Sequence, residues 1–432
     1  MATTRTGDTT VLDAGPAPPP DVCLHVLRSS AHGCWFDRGG RGGHSLLLVD
    51  PDQLLREPDG IWEALRAEGG AAAGGPWGFA GGWAGYLSYE ATLPLLGLEP
   101  ARRPPHPVAM LAHYPSALVI DHGRGRAWAV GRGRAGAQSA GTWRSRLERA
   151  RHHAPPLPAR PAPAPRVLYA GPSPAIHAAQ VREVQRWIRA GDSFVANLTY
   201  RLKLERLADP AGAYAALRAQ QRAPYGTLIH DGPCWVLCAS PELLVRRRGV
   251  RACTRPIKGT RGHSVEDAAA LAVDPKERAE LTMIVDLERN DLGRVASTGS
   301  VRVRELFSVE RHPGLCHLVA TVEADVPGPA GTLLAALLPG GSVTGAPKRR
   351  TVSLLVGLET DARGVYTGTI GWCDDGGDME WNIAIRTLVT TPVGSMYGTG
   401  GGITAESDPT REYLETRLKA QSVLRALGVV LA

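Results

Sequence analysis

Of the 49 basic residues in the chain, the lysines are Lys203, Lys258, Lys276, Lys348 and Lys419, and all the others are arginine. A retained lysine therefore marks a place where a guanidinium is a poor substitute. Lysine can lose its proton in an apolar setting and act as a nucleophile or base, which arginine cannot. Lys258 is the best candidate. It lies in Thr254-Arg-Pro-Ile-Lys258-Gly-Thr260, after a strand-like run, with Pro256 and Ile257 as apolar cover and Gly259 for close backbone approach. A surface lysine in a turn accounts for the local text equally well.

Carboxylates recur at helical spacing. Glu280 shares a stripe with Ile284 and Leu287, and Glu277 lies one turn earlier on the same side. Near the C-terminus Glu412 and Glu415 stand at i, i+3, with Lys419 four residues after Glu415. Two helices aiming such pairs inward could hold a hard divalent cation with positions left for water and an anionic substrate. For either helix alone, a solvated acidic face is the alternative.

Two glycine-rich stretches, 339–348 and 398–403, could offer backbone amides to a carboxylate at a turn or helix N-terminus, although tight turns explain both. Arg386 sits in an apolar strand pattern, Ile383-Ala-Ile-Arg386-Thr, where it needs a carboxylate partner from protein or ligand.

The elements that must position these groups are legible in outline. Residues 1–20 are polar and Pro-rich and predict a disordered tail. A first segment, 21–150, contains strand-like Ser45–Leu48, a Gly-rich stretch at 78–90, and strand-like Ala117–Ile120. Ser45–Leu48 reads as a core strand. Proline density over 151–171 predicts an extended linker. Beyond it, 172–432 alternates helices (174–190, 275–289, 409–427) with strands near 193–204, 227–231, 234–238 and 243–253, the last helix by the spacing of Tyr413, Leu414, Leu418, Val423 and Leu424. The class is mixed α/β (α+β).

Composition excludes other classes. The net charge of +7 is arginine background mixed with acids, with neither a basic stripe nor an aromatic platform, so no nucleic-acid partner is expected. No run of 18 apolar residues and no secretory signal is legible, which predicts a cytoplasmic protein without a membrane partner. The seven cysteines are scattered without a CxxC pair and predict reduced thiols; metal chemistry would use oxygen ligands.

Read in order, the chain resembles the chorismate-utilising enzymes, the family of anthranilate synthase and aminodeoxychorismate synthase large subunits and of isochorismate and salicylate synthases. The matching text includes Ser240-Pro-Glu242, Arg255-Pro-Ile-Lys-Gly-Thr260, Arg278-Ala-Glu280, Met283 through Arg294, His317-Leu-Val319, Gly340 through Lys348, Tyr366-Thr-Gly368, Ile385-Arg-Thr387, Gly400 through Ile403 and Glu415 through Lys419. Lys258 resembles the nucleophile of the aminodeoxychorismate branch, where anthranilate synthases carry alanine, and Thr344 leans the same way. Anthranilate synthase component I is the alternative. A catalytically inactive binding protein on the same fold is the reading from another class.

The resemblance implies a fold of two subdomains with antiparallel sheets packed face to face, helices outside and the active site in the cleft. It implies Mg²⁺ held by Glu280 and Glu415 with Glu277 and Glu412 behind them. Thr344, Tyr366, Arg386, Lys419 and the amides of Gly400, Gly401 and Gly402 would hold chorismate. Lys258 would add at ring carbon 2, Glu242 would protonate the leaving hydroxyl at carbon 4, and His317 would lie near the ring. Ammonia, supplied by a separate glutamine amidotransferase subunit, would then enter at carbon 4. One departure stands out: Val195 occupies a position where ammonia users carry glutamine and hydroxylating members a lysine, which disfavours isochorismate or salicylate synthesis. The loop after Thr260 also reads as shorter than in relatives.

Overall fold

Strand Cys234–Ser240 shows how the layers form. Its side chains alternate, so Val236 and Cys238 enter one apolar cluster while Leu237 and Ala239 enter another on the opposite face. In the computed structural model, which describes residues 3–6, 8–38, 43–67, 75–157, 163–262, 264–312 and 315–431, this alternation separates three layers of core. The central cluster joins Ile229, Val236 and Cys238 of one sheet to Tyr86, Met110 and Trp372 of the other, so the two sheets pack face to face. Each outer face is covered by helices. Val22, Trp143, Tyr214 and Val423 cover the larger sheet, and Ile61, Leu271, Leu281 and Leu333 cover the smaller.

The paired strands described are antiparallel. The larger sheet of 13 strands runs from Thr3–Thr6 at one edge, through His32–Asp37, Tyr225–Asp231, Cys234–Ser240, Thr387–Thr391 and Gly394–Ile403, to Val195–Leu204 and Val167–Tyr169. The smaller sheet of 10 strands includes Ile257–Arg261, Leu315–Asp325, Arg251–Arg255, Leu243–Arg248, Met379–Ile383, Thr369–Asp374 and Gly82–Leu87. Both sheets mix strands from the two halves of the chain. His32–Asp37 pairs with Tyr225–Asp231, and Gly82–Leu87 with Thr369–Asp374.

Two expectations are corrected. Residues 9–16, expected within a disordered tail, form a strand paired with Arg126–Arg132, because Val11 and Ala14 find apolar cover there. The 151–171 linker is shorter at both ends. Helix Trp143–His153 runs into it, and Val167–Tyr169 pairs with Val195–Leu204; residues 158–162 lie outside the described set. Ser45–Leu48 is a buried strand, with the Ser45 hydroxyl bonded to Asp37 and His122.

Two of the chain's crossings between the sheets lie side by side. Pro241 and Glu242 link Cys234–Ser240 of the larger sheet to Leu243–Arg248 of the smaller, and Ala384–Arg386 return from Met379–Ile383 to Thr387–Thr391. The crossings are laced together: Ile383 donates its amide to the Glu242 carbonyl (3.1 Å), Ser240 donates its hydroxyl to the Ile383 carbonyl (2.6 Å), and Ala239 donates its amide to the Arg386 carbonyl (3.1 Å). Arg386 is therefore not a mid-strand residue. It occupies the turn of the second crossing at φ 52°, in the left-handed region.

Candidate active site

Lys258 belongs to strand Ile257–Arg261, opposite Leu318 of Leu315–Asp325, rather than to a surface turn. Gly259 beside it has φ +67°, and the strand register shifts there. A β-carbon at 259 would sit 2.7 Å from Leu271 Cδ1 and 3.0 Å from Glu277 Oε2, so only glycine lets the strand approach the acidic helix this closely. The Lys258 side chain is 17% exposed, and its Nζ lies 4.0 Å from Glu280 Oε2.

Helix Pro275–Gly293 supplies the first carboxylates. It begins at Asp274, whose carboxylate accepts the amides of Lys276 and Glu277, with Pro275 in the first turn. Glu277 and Glu280 lie at its N-terminal end beside Lys258. Burial raises the Glu277 pKa, and the charges of Glu280, Asp274 and Glu415 add to the rise. Glu280 also stands 3.8 Å from Lys276 Nζ.

Helix Pro409–Leu424, capped by Asp408 on the Arg411 amide, brings the second pair. Of the five residues whose spacing predicts this helix, Val423 and Leu424 are buried. Leu414 and Leu418 are exposed, and Glu412, Thr416, Ala420, Val423 and Leu424 face inward. Glu412 is buried, hydrogen-bonded by the Ser407 hydroxyl at 2.7 Å, and raised in pKa by burial and by Glu415. Glu415 is half-exposed and bound to Lys419 at 2.7 Å. Burial would lift its pKa, but Lys419, Lys276 and Lys258 outweigh that and lower it. Glu277 and Glu412 thus feel neighbouring carboxylates, and Glu415 feels three ammonium groups. Among the described residues, however, no three His, Cys, Asp or Glu side chains are gathered into a ready metal cage. The donor set is nonetheless suited to a hard cation: carboxylates from two helices meet with Glu277 and Glu412 destabilised by like charge.

Gly400, Gly401 and Gly402 belong to strand Gly394–Ile403, paired with Val195–Leu204, and do not form a turn or helix N-terminus. The missing side chains of Gly401 and Gly402 keep the site open, whereas a β-carbon at Gly400 would strike the Leu198 carbonyl of the neighbouring strand at 2.5 Å. A β-carbon at Gly401 would lie 3.4 Å from Glu412 Oε2, and one at Gly402 would lie 3.8 Å from Lys258 Nζ and 3.6 Å from Val195 Cγ2. Lys419 donates to the Gly400 carbonyl at 3.3 Å. Val195 is buried beside this strand and offers no polar group.

Glu242 at the sheet crossing is 4% exposed, and its Oε1 has no hydrogen-bond partner. Burial raises its pKa, while the Ser342 hydroxyl and the Lys258 charge hold the rise back. His317, on Leu315–Asp325 opposite Thr260, is buried with Nδ1 3.2 Å from the Gly259 carbonyl. Thr344 is buried and donates its hydroxyl to the Gly340 carbonyl at 2.8 Å, and its own carbonyl accepts the Asn197 amide. It therefore shapes the 340–347 loop.

Tyr366 packs under Gly398, where a β-carbon would strike its ring at 2.3 Å, and lies against the Arg201 guanidinium; burial pushes its hydroxyl up to about 12. Arg386 contacts Gln221 Oε1 at 3.4 Å, and burial lowers its pKa. Among the described residues no carboxylate pairs with it, which leaves a ligand carboxylate of the two expected kinds of partner. Lys348, which opens helix Lys348–Leu358, is buried on Asp291 at 2.5 Å and on the Leu337 carbonyl, a structural role.

One buried acid escaped the sequence reading. Glu288, on the inward face of Pro275–Gly293, is 5% exposed, and burial pushes its carboxyl up to about 8. Its signal was available: it stands seven residues after Leu281 and four after Ile284, on the stripe the helix buries.

A lysine amine facing carboxylates from two helices, beside a buried acid at a sheet crossing, defines a site for a small anionic substrate. The pattern of the chorismate binding enzymes matches residues 48–425, and the chain belongs to that family. It is 40% identical over 255 residues to aminodeoxychorismate synthase component 1 of Bacillus subtilis, covering 57% of this chain and 54% of the relative. It is 38% identical over 397 residues to aminodeoxychorismate synthase of Streptomyces pristinaespiralis, covering 86% and 55%. The chain thus spans about half the length of these curated relatives. Among solved structures, anthranilate synthase component I of Streptococcus pneumoniae superposes with a TM-score of 0.76 at 26% identity, covering 98% of this chain and 94% of the other. No helix among the described residues is long and apolar enough to cross a membrane.

Proposed function

We propose that the chain aminates chorismate at ring carbon 4, as the large subunit of an aminodeoxychorismate synthase. The observation that carries the reading is the placement of Lys258 Nζ, 17% exposed, between the acidic helices and the glycine strand and within the field of buried Glu242. An amine there splits one difficult displacement into two easier ones. Once its proton has passed to water, Lys258 Nζ bonds to ring carbon 2 while Glu242 gives its proton to the hydroxyl leaving carbon 4. Ammonia then bonds to carbon 4, the bond from Nζ to carbon 2 breaks, and Glu242 takes the proton that the new amine sheds. A carboxyl whose pKa burial raises suits the first step.

Glu280, Glu415, Glu277 and Glu412 would hold Mg²⁺, which when bound supplies positive charge for the substrate's ring carboxylate. Gly401 and Gly402 keep the floor of the site free of side chains, and Thr344 holds the loop beside it. His317 fixes the Lys258 strand through the Gly259 carbonyl. Ammonia would come from a separate glutamine amidotransferase, and the seven cysteines, all free, suit a reducing cytoplasm.

The test is product analysis by mass spectrometry with chorismate, Mg²⁺ and ammonium, using wild type and Lys258→Ala. Aminodeoxychorismate from wild type and its loss in the variant support the reading. Anthranilate with pyruvate, or product undiminished in the variant, overturns it.

A further inference from the structure

Gln221 is the last residue of helix Pro210–Gln221, which ends where Arg222 takes the left-handed conformation at φ 43°. Its side-chain amide joins two elements that lie far apart in the chain. Nε2 donates to the Ser422 carbonyl at 2.7 Å, near the end of the helix that carries Glu415 and Lys419. Oε1 accepts Arg386 Nη1 at 3.4 Å. A carbonyl can only accept and a guanidinium can only donate, so the two partners together fix which end of the amide faces Arg386.

The Arg386 backbone is pinned at the sheet crossing beside that of Glu242. Its carbonyl accepts the Ala239 amide at 3.1 Å, and Ile383, three residues earlier, donates its amide to the Glu242 carbonyl at 3.1 Å. The side chain is partly exposed, and among the described residues Gln221 is the one side chain that hydrogen-bonds its guanidinium. The charge is thus oriented without being neutralised, and a guanidinium in that state favours an anion from solution. We propose that Gln221 is a positioning residue that holds the Arg386 guanidinium in place for a carboxylate of the substrate, and that it must be neutral because a carboxylate at 221 would occupy the guanidinium itself. The inference rests on the reading above that the substrate is chorismate, a dicarboxylate.

The two hydrogen bonds set what position 221 tolerates. Glutamate has nearly the shape of glutamine but only accepts when ionised, so it would pair with Arg386 and turn its other oxygen against the Ser422 carbonyl. Methionine keeps the length of the side chain and loses both bonds. The usual order of severity therefore inverts for substrate binding, with the isosteric glutamate the worse of the two. Repulsion at Ser422 lowers stability, whereas an occupied Arg386 weakens the hold on substrate, so the two effects are read by different measurements.

The experiment measures kcat and KM for chorismate on the full chain with Mg²⁺ and ammonium, and thermal melts alongside. The proteins are wild type, Gln221→Glu, Gln221→Met, Arg386→Gln and the double variant Gln221→Glu with Arg386→Gln. Gln221→Glu should raise KM about tenfold or more with kcat within about threefold, as expected when a charge-assisted hydrogen bond is lost from binding. Gln221→Met should raise KM by a smaller factor, about threefold. In the Arg386→Gln background Gln221→Glu should add less than about twofold, because the charge it would occupy is gone. The same added factor in both backgrounds, or a loss in kcat that matches the loss in kcat/KM, overturns the inference and marks Gln221 as structural. If Gln221→Glu does not fold, Gln221→Met decides: a raised KM with kcat held supports the inference, and an unmoved KM overturns it. An unmoved KM in Arg386→Gln overturns instead the part given to Arg386, and a wild type that makes no aminodeoxychorismate overturns the proposed function itself.

Discussion

Gly402 faces Lys258 across the site, and a β-carbon at 402 would stand 3.8 Å from the lysine Nζ, an ordinary contact. Gly402→Ala should therefore fold normally and lose less than about tenfold in kcat/KM, whereas Gly402→Leu should lose about a hundredfold or more by filling the space the substrate ring must enter. Gly398→Ala offers the contrast. Its β-carbon would strike the Tyr366 ring at 2.3 Å, so it should destabilise the fold itself. Thermal melts alongside chorismate turnover separate the two outcomes.

The acidic pair of helices predicts a cation effect visible without turnover. Mg²⁺ at ten times its Kd should stabilise the protein by about 1.4 kcal/mol. Glu280→Gln and Glu412→Gln should abolish that shift. It should also shrink as pH falls, earlier than for ordinary carboxylates, because burial and like charge raise Glu277 and Glu412. A thermal-shift titration with Mg²⁺ alone at pH 7.5 and pH 5 checks this.

Arg363 is the brace of the 340–347 loop. It is 1% exposed, clasps Glu359 with two bonds of 2.7 and 2.8 Å, and donates to the Val343 and Asn197 carbonyls. Arg363→Met should cost about 3–5 kcal/mol, because it strands a buried carboxylate. Arg363→Met with Glu359→Leu should recover part of that loss. Urea unfolding measures both.

His113 makes stability depend on alkaline pH. Burial alone would lower its pKa, but Asp375 at 3.1 Å and Asp52 at 2.7 Å reverse the sign and raise it to about 9. A histidine raised on folding contributes fully below its unfolded pKa near 6.5 and loses that contribution as pH rises through 9. His113→Asn should therefore be destabilised by up to about 3 kcal/mol at pH 6. The difference from wild type should fade by about pH 9.5, which paired denaturation curves would show.

Much of this architecture was written locally. Asp274 with Pro275, and Asp408 with Pro409, announce the two helices whose first turns carry the acids, and lysine scarcity singles out Lys258. What failed depended on distant partners. The spacing of Tyr413, Leu414, Leu418, Val423 and Leu424 locates the last helix but not its whole inner face: Val423 and Leu424 are buried while Leu414 and Leu418 are exposed, because the glycine strand and Thr399 draw the Glu412–Thr416–Ala420 face inward. Arg386 read as a strand residue because nothing local says that the chain leaves one sheet for the other there. Residues 9–16 look too polar for a core, but Arg126–Arg132 supplies the missing ladder. Glu288 went unnoticed because a charged residue on a helix is ordinarily assigned to solvent.

The mixing of strands from both halves has a consequence for synthesis. Once His32–Asp37 has been made, its partner Tyr225–Asp231 lies about 190 residues downstream, so at ordinary translation rates the unpaired edge waits for about 10–40 s. Gly82–Leu87 waits longer still for Thr369–Asp374. Neither sheet can close until the ribosome has nearly finished, and the Lys258 strand is held by a sheet completed only by those late strands. The nascent chain thus carries unpaired β-edges for most of its time on the ribosome.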